Sequence, residues 1–150
     1  MNRYTNSVIP IWVNLLQIVL TLIMLGQVYM YFFDHQLLAA TGVPVEGVPM
    51  LNLIFEMGGR TATMAAASIF VLITQDPRQY LIVLAMNIFR EGAETVIDPL
   101  FPIANAPAGP MTDFSVHLVI VAIEILAFIA VWKTVKADNT PLDASTKENA

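Results

Sequence analysis
The run Asn87-Ile88-Phe89-Arg90-Glu91-Gly92-Ala93-Glu94-Thr95-Val96-Ile97-Asp98 sets four charges inside a segment otherwise hydrophobic enough to lie in a membrane. At helical spacing Asn87, Glu91, Glu94 and Asp98 fall on one face, and Arg90 lies four residues before Glu94. Ionisable groups placed there are costly and usually face a protein interior or a water-filled cavity. The stretch therefore reads as one wall of a buried polar site, and the fold has to supply the others.

Composition bounds that fold. Of 150 residues, 57% are hydrophobic and only 13% charged, which is the profile of an integral membrane protein and not of a soluble domain. A spanning helix needs roughly 20 mostly apolar residues, and the chain holds four such segments joined by short connections. The expected class is all-α: an up-down four-helix bundle over residues 1–136, followed by a disordered polar tail over 137–150. The formal charge is −5 and no run of Lys and Arg is present, so no nucleic-acid role is expected. The chain has no cysteine, which excludes disulfides, thiolate catalysis and Cys-ligated metals.

Residues 8–33 are apolar well past the ~7–15 residue core of a cleavable signal, so they read as a retained first span. Asn14, Gln17, Thr21, Met24, Val28, Tyr31 and His35 follow a three-four spacing along it, which describes an inward seam. Asn14 and Gln17 on that seam suit hydrogen bonds between helices. Residues 34–50 contain Gly42, Pro44, Gly47 and Pro49 and read as a loop or a short re-entrant turn. The second span covers about 51–74, with Asn52, Glu56 and Arg60 one turn apart. Gly58, Gly59, Ala62, Ala65, Ala66, Ala67 and Ser68 in it form a small-residue surface that lets helices approach closely. A tight turn at residues 75–79 leads to the third span, about 80–97, ending at Asp98-Pro99. Residues 100–110, rich in Pro and Gly, predict an irregular connection. The fourth span, about 112–132, is capped by Thr112 or Asp113 and carries Asp113, His117 and Glu124 on one face.

Arg3, Arg78, Lys133, Lys136 and Lys147 all fall on the side of the termini and the 75–79 turn, while the other two connections have no Lys or Arg. The positive-inside rule then places both termini in the cytoplasm of a multi-pass protein of the cell (inner) membrane. Trp132 and Tyr80 suit the cytoplasmic interface, and Tyr29, Tyr31, Phe32 and Phe33 the outer one.

In that order of spans, every ionisable intramembrane residue lies in a half-helix on the outer side. At ~1.5 Å per residue, Arg60, Arg90 and Glu124 sit roughly 13–16 Å below their outer helix ends, near the midplane. Glu56, Glu94 and His117 lie higher, and Asp98 and Asp113 at the mouth. The expected site is a funnel open to the outer side, in which Arg60 and Arg90, with Glu56, Glu91, Asp98 and Tyr31, bind a small anionic or lipid-soluble molecule. Glu94, Glu124 and His117 are the candidates for moving a proton. Two arginines cannot neutralise six carboxyls, so some must be hydrated, protonated or paired with something else. The alternative is structural: Glu56 with Arg60 and Arg90 with Glu94 are i,i+4 pairs that would merely neutralise each other.

No metal is expected, because carboxylate-bridged sites in helical bundles use Glu-x-x-His, which is absent, and two arginines would oppose a cation. No cofactor follows from the residues. The eight methionines read as packing, and His117 has no clear nucleophile to activate. Asn52-x3-Glu56-x3-Arg60, Phe89-Arg90-Glu91-Gly92, the Pro-Gly connection and Glu124 together resemble the small four-span DoxX-like membrane proteins over about residues 8–136. The glycines at 58 and 59, close after Glu56, and a more acidic third span depart from that group. The resemblance implies at most an association with lipid-soluble redox partners such as quinone, and no catalytic role. A ligand-binding or catalytic bundle and an accessory subunit of a homo-oligomer or larger membrane complex are the leading functions, and a proton or ion pathway is disfavoured because the inner half of the bundle has few polar groups beyond Asn14 and Gln17.

Overall fold
The computed structural model describes residues 9–103 and 109–138. Its elements are α1 (Ile11–Phe32), α2 (His35–Ala40), α3 (Val48–Thr74), α4 (Pro77–Leu100) and α5 (Pro110–Asp138), with no strand among the described residues. Arg3 and the polar start, residues 104–108 of the connection, and the tail from residue 139 with Lys147 lie outside the described residues.

α1, α3 and α5 are long and apolar enough to cross a membrane. Their outward faces carry Leu15, Leu22, Phe70, Leu118 and Leu126 exposed, a surface suited to lipid rather than water. α4 is as long, but its second half is broken by charge. Helix ends follow local chemistry. Asp76 caps α4 by accepting from the backbone N–H of Arg78 at 2.8 Å, and Pro77 fills the first helical position, where its missing N–H costs nothing. Asp34 caps α2 in the same manner, accepting from Leu37 N at 2.9 Å. Gly47, at φ 83°, turns the chain into α3 in a conformation few side chains tolerate.

Several boundaries differ from expectation. The 34–50 segment is not simply a loop, since its first residues close one short helix whose Leu38 is buried. α4 runs through Pro99 to Leu100, because a proline so near a helix end displaces only one backbone bond. α5 begins at Pro110, ahead of Thr112 and Asp113, and continues through Ala137 and Asp138, where a tail was expected.

Two antiparallel pairs, α1 with α3 and α4 with α5, make the most extensive contacts. In the first pair Gly58 of α3 lies against Tyr31 and Phe32 of α1, and Gln17 Nε2 of α1 donates to Ser68 Oγ of α3 at 2.9 Å. The pairs join at the end away from the acidic stretch. There Tyr80 donates its hydroxyl to Asn14 Oδ1, Asn14 Nδ2 donates to Gln75 Oε1 at 3.1 Å, and Gln75 Nε2 returns a bond to Asn14 at 3.0 Å. Around that junction Val13, Val71, Tyr80, Leu84, Ala127 and Val131 form the apolar core. Tyr80 is thus fully buried and is not an interfacial aromatic, whereas Trp132 is exposed. Leu20, Met24 and Ala65, with Ile120, continue the core toward the middle. Polar chemistry is left to the opposite half of α4 and α5.

Candidate functional site
Three residues on one face of α4, Glu91, Glu94 and Asp98, meet Asp113 and His117 of α5, and His117 is the common partner. Its Nδ1 lies 2.7 Å from Glu91 Oε2 and 3.7 Å from Glu94 Oε2. Its Nε2 lies 3.4 Å from Asp98 Oδ2 and 3.7 Å from Asp113 Oδ1. Each ring nitrogen therefore serves its own pair of carboxylates. The second oxygen of Glu91, Oε1, accepts from Arg90 Nη2, so the nearly fully buried Glu91 bridges guanidinium and imidazole. Local structure explains the placement. Asn87, Glu91, Glu94 and Asp98 recur at three and four residues, which keeps them on one stripe, while Thr95 Oγ1 bonds back to the carbonyl of Glu91 at 2.7 Å. Asp113 sits in the first turn of α5, where a carboxylate suits the positive helix end.

The antiparallel register set by Glu94 with His117 can be followed inward. Seven residues on, two turns along each helix, it brings Asn87 level with Glu124. Both are buried, and neither side chain has a hydrogen-bond partner among the described residues. Arg90 Nε and Gln17 Oε1, the latter contributed by α1, are buried and unpartnered as well. Burial is the largest influence on Glu124, and the charges of Glu91, Arg90 and Glu94 also reach it, which places it beside the same group. Glu94 and Arg90 act in the same way on the half-buried Tyr31 of α1.

The expected site residues are thus divided. Arg90, Glu91, Glu94, Asp98, His117 and Glu124 come together, with Tyr31 at their side. Glu56 and Arg60 do not join them. Their side chains are 54% and 77% exposed on the outer flank of α3, paired with each other at 3.5 Å, and Asn52 Nδ2 donates to Glu56 at 3.2 Å. The inward face of α3 is instead Ile54, Gly58, Ala65 and Ser68. The expected Arg90–Glu94 pair is replaced by Arg90–Glu91, and His117 is the hub of the cluster. His35 packs its ring against Phe55, with 5.7 Å between ring centroids. Asn87, Asp113 and Gln17 were not candidates. Asn87 and Asp113 were visible as continuations of the two polar stripes, and Gln17 as a residue of the α1 seam.

Two groups have the donors and the spacing to hold a metal ion: Glu91, Glu94 and His117, and Asp98, Asp113 and His117, with ligand atoms in each within 4.8 Å of one another. Proximity in the fold assembles what the absent Glu-x-x-His spacing did not suggest. A cleft of about 640 Å³ between residues 39–46 and 101–103 is lined by none of these side chains. The chain matches no family model, no curated protein and no solved structure.

Proposed function
We propose that the protein is a four-span membrane bundle with cytoplasmic termini, whose α4–α5 site binds a small polar solute, preferentially a cation, reaching it from the extracytoplasmic side. The observation that carries this reading is the set of buried, unpartnered groups on Asn87, Arg90 and Glu124 beside the Glu91–His117 hub. A buried polar group left unsatisfied costs about 1–3 kcal/mol, so the arrangement favours an occupant that satisfies several at once. The charge of that occupant follows from the residues. Arg60 lies on the flank of α3 and Arg90 is already paired with Glu91, so carboxyl groups outnumber guanidinium groups among the described residues of the site. Glu91, Glu94, Asp98, Asp113 and Glu124 face one guanidinium and one imidazole. The test is calorimetric titration of the detergent-solubilised protein with guanidinium and, separately, with acetate. Saturable binding of guanidinium, weakened tenfold or more by Glu91→Gln, is the expected result. Acetate binding more tightly than guanidinium sinks the reading.

A second reading, an accessory subunit of a larger assembly, is favoured by the Asn52–Glu56–Arg60 string. Arg60 lies about 18 Å into α3 at ~1.5 Å per residue, close to the middle of a ~30 Å hydrocarbon core. A charged pair on an outward face at that depth calls for a covering partner. The likeness to DoxX-like proteins is divided in the same way, with Arg90 and Glu124 in the site and Asn52, Glu56 and Arg60 on the flank. Mass measurement after gentle detergent extraction separates the readings. A stoichiometric companion lost on Arg60→Ala supports the subunit role, and a monomer in both proteins removes it.

A further inference from the structure
We propose that Glu91, Glu94 and His117 Nδ1 form the seat of one divalent transition-metal ion, and that Asp98, Asp113 and Nε2 of the same imidazole form an outer landing station for that ion. The proposal rests on the cation-site reading and gives the cation a chemical class.

The donor set carries the class. Calcium and magnesium take shells of oxygen ligands, whereas imidazole with carboxylates suits zinc, manganese, iron or cobalt. Metal–ligand bonds of ~2.0–2.2 Å put neighbouring donor atoms of one ion roughly 3–3.6 Å apart. The nitrogen–oxygen separations here, 2.7 and 3.7 Å at the seat and 3.4 and 3.7 Å at the outer station, bracket that range. Acidic residues beside a histidine are common without an ion, so the second observation decides. Glu124 is fully buried, both its oxygens lack a partner among the described residues, and it follows His117 by seven residues on the same face of α5. Asn87, level with it, is buried and unpartnered too. A carboxylate and an amide in that position accept from and donate to the remaining ligands of an ion held above them, which is how groups beyond the ligands fix a metal site. Arg90 does not displace the ion, because its guanidinium engages Glu91 Oε1 and leaves Oε2 facing His117.

Sharing one imidazole makes the two stations exclusive. A neutral imidazole offers one lone pair at a time, so an ion on Nε2 leaves Nδ1 protonated, and an ion on Nδ1 requires the other tautomer. Asp98 and Asp113 lie one turn nearer the outer ends of α4 and α5 than Glu94 and His117. An arriving ion thus meets them first and passes to the seat as the proton changes nitrogen.

The test is titration of the full-length, detergent-solubilised protein with Co2+, read by its visible absorption and by paramagnetically shifted imidazole resonances. One ion per chain with one ligated imidazole is expected. Glu94→Gln should weaken binding at least 100-fold and Glu124→Gln 10- to 100-fold. Asp98→Asn with Asp113→Asn should slow association about tenfold and leave Kd within threefold. Two ions per chain, or a bound Co2+ with no shifted imidazole resonance, overturns the proposal without recourse to any variant. Equal loss of affinity in the aspartate double variant and in Glu94→Gln overturns the division into station and seat. Saturable guanidinium binding with no Co2+ binding removes the metal and leaves the cation site, whereas binding of neither removes both.

Discussion
Gln17 shows what a single polar side chain costs inside this bundle and how that cost is met. It is fully buried on α1, its amide nitrogen donates to Ser68 at 2.9 Å, and its oxygen has no partner. Removing Ser68 alone strands the donor as well, and an interhelical bond of this kind is worth about 1 kcal/mol in membrane proteins. Ser68→Ala should therefore lower stability by about that much. Gln17→Leu combined with Ser68→Ala, which removes both partners, should restore wild-type stability or exceed it, since paired apolar replacement carries no desolvation cost. Thermal unfolding in one detergent compares the variants. Ser68→Ala as stable as wild type would show the bond to be idle. Gln17 was legible as a seam residue from its three-four spacing. Its missing partner was not, because spacing gives a face and never the atoms opposite.

At the scale of elements, the α1–α3 contact turns on Gly58. A Cβ built there meets the Phe32 ring at 2.8 Å and Tyr31 Cβ at 3.0 Å, whereas at Gly59 it meets nothing within 4 Å. The Phe32 ring is itself held by stacking on Phe55 at 5.8 Å, so it cannot swing aside freely. Gly58→Ala should destabilise by about 1–3 kcal/mol through overpacking, and Gly59→Ala should not. Equal melting temperatures for the two would contradict the close approach. The small-residue run was readable as a packing surface, but only one of its two glycines touches a helix. The same ambiguity misplaced Arg60. Asn52, Glu56 and Arg60 share a face by their spacing of four, and a polar face in a membrane helix is expected to look inward. Here Ile54, Gly58, Ala65 and Ser68 take the inward face, because close packing on α1 needs small residues more than it needs charge. On α4 the polar stripe and the inward face coincide, and there the site was legible almost residue by residue.

For the whole molecule, the unequal halves of the bundle argue for one orientation. The apolar core around Val13, Tyr80, Leu84 and Val131 gathers at the end where Arg78, Lys133 and Lys136 lie, and the acidic site gathers at the other, where the connections carry no Lys or Arg. In the topology proposed above, with positive charge retained on the cytoplasmic side, the 41–47 segment and the mouth of the α4–α5 site lie outside. Because the chain has no cysteine, single substitutions report their side without a background to remove. Glu46 and Lys133 are exposed at opposite ends of the long helices. In intact cells a membrane-impermeant maleimide should label Glu46→Cys, and Lys133→Cys only after the membrane is opened. Labelling of both before opening would place the two ends on one side and refute the alternating order of spans. Labelling of Lys133→Cys alone would invert the molecule and turn the acidic mouth toward the cytoplasm, so that its cation would have to come from within the cell.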